Sequence, residues 1–198
     1  MIKNNVEYQD KDHQVMTPYY DLCEMAPEYD PKTVKKKLKT FITKDPDFLD
    51  PYLFLRYIYQ YEGNEKEADR LLDEAFSKAI DLITDEKGNW PDILEWAWLE
   101  NRHIIRTILH KALSAWEKNE TDEALTLFRK LLRTNPNDNI GARDFILAIR
   151  MNMGYDEFQD TFDKGGYYDM ELMDWFDENY KRFPDEFEWW EKAIEEYK

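Results

Sequence analysis

One apolar register occurs twice in this chain, ninety residues apart, and it limits the fold more than any other feature. Val34, Leu38, Phe41, Ile42 and Pro46 align without a gap on Ala124, Phe128, Leu131, Leu132 and Pro136. The spacing is that of one face of an α-helix, and the proline ends each run. In both copies a second helical segment follows the proline and closes near a glycine, Gly63 or Gly154. A helix pair of this kind cannot bury its apolar face alone, so the pattern predicts layers of helices stacked on one another.

The remaining segments carry the same period. Asp30 and Pro31 suit the start of a helix, as a cap and a first-turn residue whose missing N–H costs nothing. Asp50-Pro51 repeats that entry, and "NEKEADRLLDEAFSKAIDLITDEKG" places Ala68, Leu71, Leu72, Ala75, Phe76, Ala79 and Ile83 on one stripe before Gly88. "WPDILEWAWLENRHIIRTILHKALSAWEKN" reads as one long helix, bending near Asn101. After Gly165-Gly166 two further helical stretches finish the chain, and the links throughout are as short as antiparallel neighbours require.

Composition excludes several classes. Hydrophobic residues are 42% and aromatics 16%, enough to build a core despite 35% charged residues. Six glycines are too few for a turn-rich β fold or Gly-rich phosphate cradles. The net charge is −16, and Asp156 to Lys198 holds 15 acidic against 5 basic residues. Nucleic acid and anionic membrane surfaces are therefore poor ligands, since both need a cationic face. The single cysteine, Cys23, cannot form an internal disulfide and reads as a small buried hydrophobe. With no membrane-length apolar run and no signal-peptide core in "MIKNNVEYQDKDHQ", the expected location is the cytoplasm.

Catalytic patterns are lacking: GxGxxG, P-loop, HExxH, GxSxG and CxxC do not occur. His103 and His110 share a helical face, but two turns hold them roughly 10 Å apart, too far to ligate one ion. The acidic runs "DEFEWWEKAIEE" and "DWFDEN" lack a calcium-loop pattern and read as solvated helix faces. No cofactor or metal is expected. Lys32, Lys35, Lys36 and Lys39 form a basic stripe opposite Val34, Leu38 and Phe41. Its plainer reading is a solvated face; its functional reading is the docking of an acidic surface. Of the seven tryptophans, Trp90, Trp96, Trp98 and Trp116 lie centrally and Trp175, Trp189 and Trp190 near the end; most are expected in the core. Phe187, Trp190, Ile194 and Tyr197 make one apolar face, leaving Trp189 offset from it.

Ala112, Ala124, Phe128 and Pro136 stand at the spacings of a tetratricopeptide unit, and the chain resembles that family as a divergent, bacterial-type member. Leu55, Tyr59, Gly63, Ala68, Leu72 and Ala75 look like an earlier unit without its closing proline, and "TNPNDNIGARDFIL" looks like a repeat junction. The resemblance runs from about Pro31 to Phe162. It implies an all-α fold of antiparallel helix pairs stacked as a short right-handed solenoid with a helical C-terminal cap. The division is an N-terminal segment with a short helix (1–29), the repeat array (30–164) and an acidic, aromatic-rich cap (165–198). It further implies a concave groove that holds a peptide or partner helix, with Tyr57, Tyr61, Arg106, Leu109, Trp116, Arg143 and Arg150 at the groove-lining positions. The Lys/Asn clamp by which some members grip a terminal carboxylate is missing, because Leu53, Tyr57, Leu109, His110 and Leu113 occupy those places. The expectation is a non-catalytic adaptor for a protein or peptide. The alternatives are a homo-oligomeric structural protein, or a hydrolase with an acid-lined cleft.

Overall fold

The computed structural model describes residues 6–168 and 170–196, without the side chain of Glu196. Among the described residues there are ten α-helices and three single-turn 3-10 helices, with no strand. The helices are α1 Met16–Met25, α2 Pro31–Lys44, α3 Asp50–Tyr61, α4 Glu65–Ile83, α5 Arg102–Glu117, α6 Thr121–Thr134, α7 Ala142–Arg150, α8 Tyr155–Phe162, α9 Glu171–Asn179 and α10 Pro184–Glu196. None is long and apolar enough to cross a membrane. The chain forms two compact units, one up to Lys111 and the other from Ala112 onward, with the boundary inside α5.

The recurrence in sequence is a recurrence in structure. The bounds of α6 repeat those of α2 ninety residues on, and α8 begins ninety residues after α4. Both first helices end in the same backbone conformation, with φ/ψ of −144°/85° at Asp45 and −143°/78° at Asn135. Proline follows at each site and disfavours helix for the residue before it, which sets that stop. Entry to the second helix differs. Asp50-Pro51 opens α3. At α7 the Asp138 carboxylate accepts from the backbone N–H groups of Ala142 and Arg143, at 2.7 and 3.0 Å. Gly141 between them has φ +73°, a left-handed conformation that a Cβ would strain.

In the first unit α2 starts under Asp30, whose side chain accepts from the N–H groups of Lys32 and Thr33. Val34 and Leu38 are buried while the lysine face is exposed. The core is completed by Phe48, Leu49, Tyr52 and Leu55 of the α2–α3 region and by Leu71, Leu72, Ala75 and Ala79 of α4.

The long helix expected from Trp90 does not form. Residues 90–98 are irregular, a 3-10 turn covers Leu99–Asn101, and α5 starts at Arg102. The reason is where the backbone hydrogen bonds go. The N–H groups of Asp92 and Ile93 donate to the Val6 carbonyl, and Tyr8 N–H donates to the Ile93 carbonyl. The Glu95 and Trp96 carbonyls accept from the side chains of Asn101 and Arg102. Partners recruited from the N-terminal segment replace the helical ladder.

In the second unit α6 packs against α7, and Trp116, Phe128, Phe145 and Phe158 form one aromatic cluster with ring centroids 5.1–6.4 Å apart. α10 buries Phe187 and Trp190, and Trp190 Nε1 donates to the Pro136 carbonyl at 2.8 Å. Ile194 is half-buried, and Tyr197 lies outside the described residues. Trp189, offset from this face, is also half-buried, with the Arg133 guanidinium 4.8 Å above its ring.

Ala124 is fully buried on α6, so Ala124→Trp overpacks the core around it and lowers stability by about 1–3 kcal/mol or more. Thermal unfolding followed by circular dichroism measures this, and an unchanged melting temperature refutes the packing.

Candidate functional site

Two places in the first unit bring functional side chains together. The first is a buried polar cluster. Asp10 and His13 lie in the N-terminal segment, Asp45 closes α2, and His103 sits in the first turn of α5. The Asp10 carboxylate accepts four hydrogen bonds: from Tyr8 OH at 3.1 Å, Lys11 N–H at 2.9 Å, His13 Nε2 at 2.9 Å and His103 Nε2 at 2.8 Å. His13 Nδ1 faces Asp45 Oδ2 at 2.8 Å. The fully buried Phe48 ring packs on both imidazoles, with centroids 5.2 and 5.1 Å away.

The partners fix the protons. A backbone N–H can only donate, so the Leu49 amide, 3.2 Å from His103 Nδ1, makes that nitrogen an acceptor. Nε2 then carries the hydrogen that reaches Asp10, and His103 is neutral; burial pushes its pKa below the ordinary value. His13 faces a carboxylate at each ring nitrogen, so both donate and the ring is an imidazolium. Burial alone would lower its pKa, but the hydrogen bonds to Asp10 and Asp45 outweigh that and raise it. For Asp10, burial works upward, yet the bonds from His103, His13 and Lys11 N–H hold the carboxyl well below its usual range.

Asp10, His13 and His103 each bring one ligand-type atom within 4.8 Å of the others, which raises the question of a metal ion. The donor set does not fit one. A ligating imidazole offers a lone pair at one nitrogen and donates a hydrogen from the other. His103 is arranged the opposite way, because metal at Nε2 would turn an Nδ1–H against the Leu49 N–H. The cluster is a charge network that ties the N-terminal segment to the α2–α3 link and to α5.

The second place is an apolar groove of about 370 Å³ beside α2 and α3. Its walls include Tyr29, Val34, Phe54, Tyr57, Ile58 and Tyr61, with Glu62 at the rim. Tyr57 is 65% and Tyr61 87% exposed. They lie four residues apart on α3 and therefore share its face.

The seven groove positions implied by the family resemblance separate into different roles. Tyr57 and Tyr61 line this groove together. Arg106 does not: its Nε donates to Asp50 Oδ1 at 2.9 Å, a second nitrogen meets Asp50 Oδ2, and Tyr20 OH joins them. It is a partner for a buried carboxylate. Leu109 is half-buried on α5. Trp116 is only 2% exposed, inside the aromatic cluster of the second unit, and presents nothing to a ligand. Arg143 lies over the Phe176 and Trp190 rings at 4.9 and 5.2 Å. Arg150 pairs with Asp185 at 2.6 Å and with Glu186, which Arg129 also engages. Helical spacing places a residue on a face, but it cannot say that a carboxylate from another element already occupies that face.

The buried cluster escaped the sequence reading, which compared His103 with His110. His110 is pushed down to about 4 by burial and by the nearby Arg56 and Arg106 charges. The available signal was Asp10-x-x-His13, a carboxylate and an imidazole three residues apart in an otherwise unremarkable polar stretch. In comparisons with known proteins, no family model, no curated protein and no solved structure matches this chain.

The protonation pattern gives signed expectations. The raised His13 contributes stability that is full below its unfolded value near 6.5 and is lost as pH rises through the folded value. His103, with a lowered pKa, contributes stability that is lost as pH falls below that same unfolded value. His13→Asn should therefore remove part of the decline in melting temperature on the alkaline side. Long-range imidazole ¹⁵N spectra at neutral pH should show His103 as the Nε2–H tautomer and His13 doubly protonated. Added zinc should leave the melting temperature unchanged; stabilisation by zinc sinks the charge-network reading.

Proposed function

We propose that this chain is a non-catalytic protein-interaction module of tetratricopeptide-like helix pairs, and that its first unit holds a peptide or partner segment in the α2–α3 groove. The observation that carries the reading is the pair of exposed tyrosines on an apolar groove, Tyr57 and Tyr61. Large exposed aromatics beside a concave apolar surface are costly in water and suit recognition, because they bring contact area at a small loss of side-chain entropy. Tyr29 and Phe54 extend the same surface. The groove size suits one or two anchoring side chains of a ligand.

Two features support the tetratricopeptide-like part. The bounds of α2 recur in α6 and the start of α4 recurs in α8 ninety residues on, with one helix between them in each copy, and Ala112, Ala124 and Phe128, the small and aromatic positions of the unit, are fully buried. In this reading the helix pairs stack as a right-handed solenoid and α10 seals its end.

The hydrolase alternative gains nothing from the buried cluster. Its donors and acceptors are mutually satisfied, and neither imidazole is presented to solvent.

Tyr57→Ala combined with Tyr61→Ala tests the proposal. Both side chains are exposed, so the melting temperature should shift by less than about 0.5 kcal/mol equivalent. Proteins captured from cytoplasm by the unaltered chain, counted by quantitative mass spectrometry, should be lost from the double variant. Identical capture by both removes the groove from the function.

A further inference from the structure

We infer that the α2–α3 groove selects an acidic segment of a partner protein, one whose apolar anchor enters between the tyrosines while its carboxylates meet the lysines of α2. This rests on the groove reading above and assigns the chemistry of its ligand.

Charge is the first argument. α2 holds six lysines and no acidic residue between Pro31 and Lys44, in a chain of net charge −16. Acidic side chains are plentiful on this protein, yet among the described residues only Lys35 of the six is in an ion pair, with Glu62 at 2.7 Å. Lys32, Lys36 and Lys39 stand three and four residues apart on the helix, where like charges repel. Lys32 also sits in the first turn, at the positive end of the helix dipole. An anionic ligand relieves each of these costs.

Position is the second. Lys32, Lys35, Lys36, Lys39 and Lys44 line one shallow depression with Thr40 and Thr43. Both threonine hydroxyls are committed to helix carbonyls, of Lys36 and Lys39, which leaves the ammonium groups to define the chemistry. The depression borders the apolar groove at Lys35, which pairs with Glu62, a groove residue. Apolar and cationic surfaces are thus contiguous on one side of the first unit.

Geometry limits the ligand. Lys32 to Lys44 spans about 18 Å of helix, the reach of about five or six extended residues. Lysines are point charges without the bidentate fork of arginine, so the contact should be tolerant in register and sensitive to salt. A nucleic-acid backbone fits poorly, because beyond α2 the chain is strongly acidic and would repel phosphates.

The test selects random dodecamer peptides displayed on phage against the immobilised full-length protein, then measures enriched sequences by fluorescence anisotropy. The expected peptides carry Asp or Glu beside an aliphatic or proline anchor, and they should bind about tenfold more weakly when salt rises from about 50 to 300 mM. Lys36→Glu combined with Lys39→Glu should weaken them by about tenfold or more, with helicity checked by circular dichroism. Neutral or basic winners, or acidic winners indifferent to the lysine change, overturn the acidic assignment and leave the groove standing. Winners that bind Tyr57→Ala/Tyr61→Ala as tightly as the parent overturn the groove itself, as does a selection with no enrichment. A single-stranded oligonucleotide or phosphatidylserine vesicle that outcompetes every selected peptide, and loses binding in the lysine variant, gives the basic face to another class of ligand and overturns the proposal.

Discussion

The Asp10 carboxylate, with four donors around it, ties together the parts of the first unit that helical packing alone would leave apart. Taking a carboxylate out of water costs several kcal/mol unless its lone pairs are satisfied. Here they are, by one hydroxyl, one amide and two imidazoles. The same carboxylate group connects through His13 to Asp45 at the end of α2, and through His103 to the Leu49 amide just before α3. The α2–α3 link that results positions the two walls of the tyrosine groove. Asn101 adds to the arrangement by bonding the Asp10 N–H and the Tyr8 carbonyl, which anchors the N-terminal segment along the 90–98 loop.

The second unit solves its own problem differently. Its centre is aromatic, and the charged contact closing it is Glu186 of α10, shared between Arg129 of α6 and Arg150 of α7. Such a contact gives specificity of placement more than net stability, because desolvation offsets much of the attraction. Stability must come chiefly from the buried rings of Trp116, Phe128, Phe145 and Phe158 and from Phe187 and Trp190. Arginines that the family resemblance would place in a binding groove are here the means by which α10 and α9 are held.

Charge separates the two readings of the molecule's surface. The acidic side chains are spread along the chain and give it a net charge of −16. The α2 lysines are different, since they concentrate one sign on one helix face next to exposed aromatics. Among the described residues this stripe carries a single ion pair, Lys35 with Glu62.

Local rules made the helices legible. The period of Val34, Leu38 and Phe41, the cap at Asp30 and the stops before Pro46 and Pro136 are decided within a few residues of chain, and the ninety-residue recurrence carried them to α6 with matching bounds. Tyr57 and Tyr61 could be placed on one face for the same reason. What failed was non-local. Residues 90–98 carry a helical composition but give their hydrogen bonds to Val6, Tyr8 and two side chains. His13 and His103 lie ninety positions apart in sequence and meet at one carboxylate. Periodicity describes how a residue faces its own helix. Which buried charge finds which partner is decided only when the elements pack, because a desolvated carboxylate takes whatever donors the closed fold brings to it.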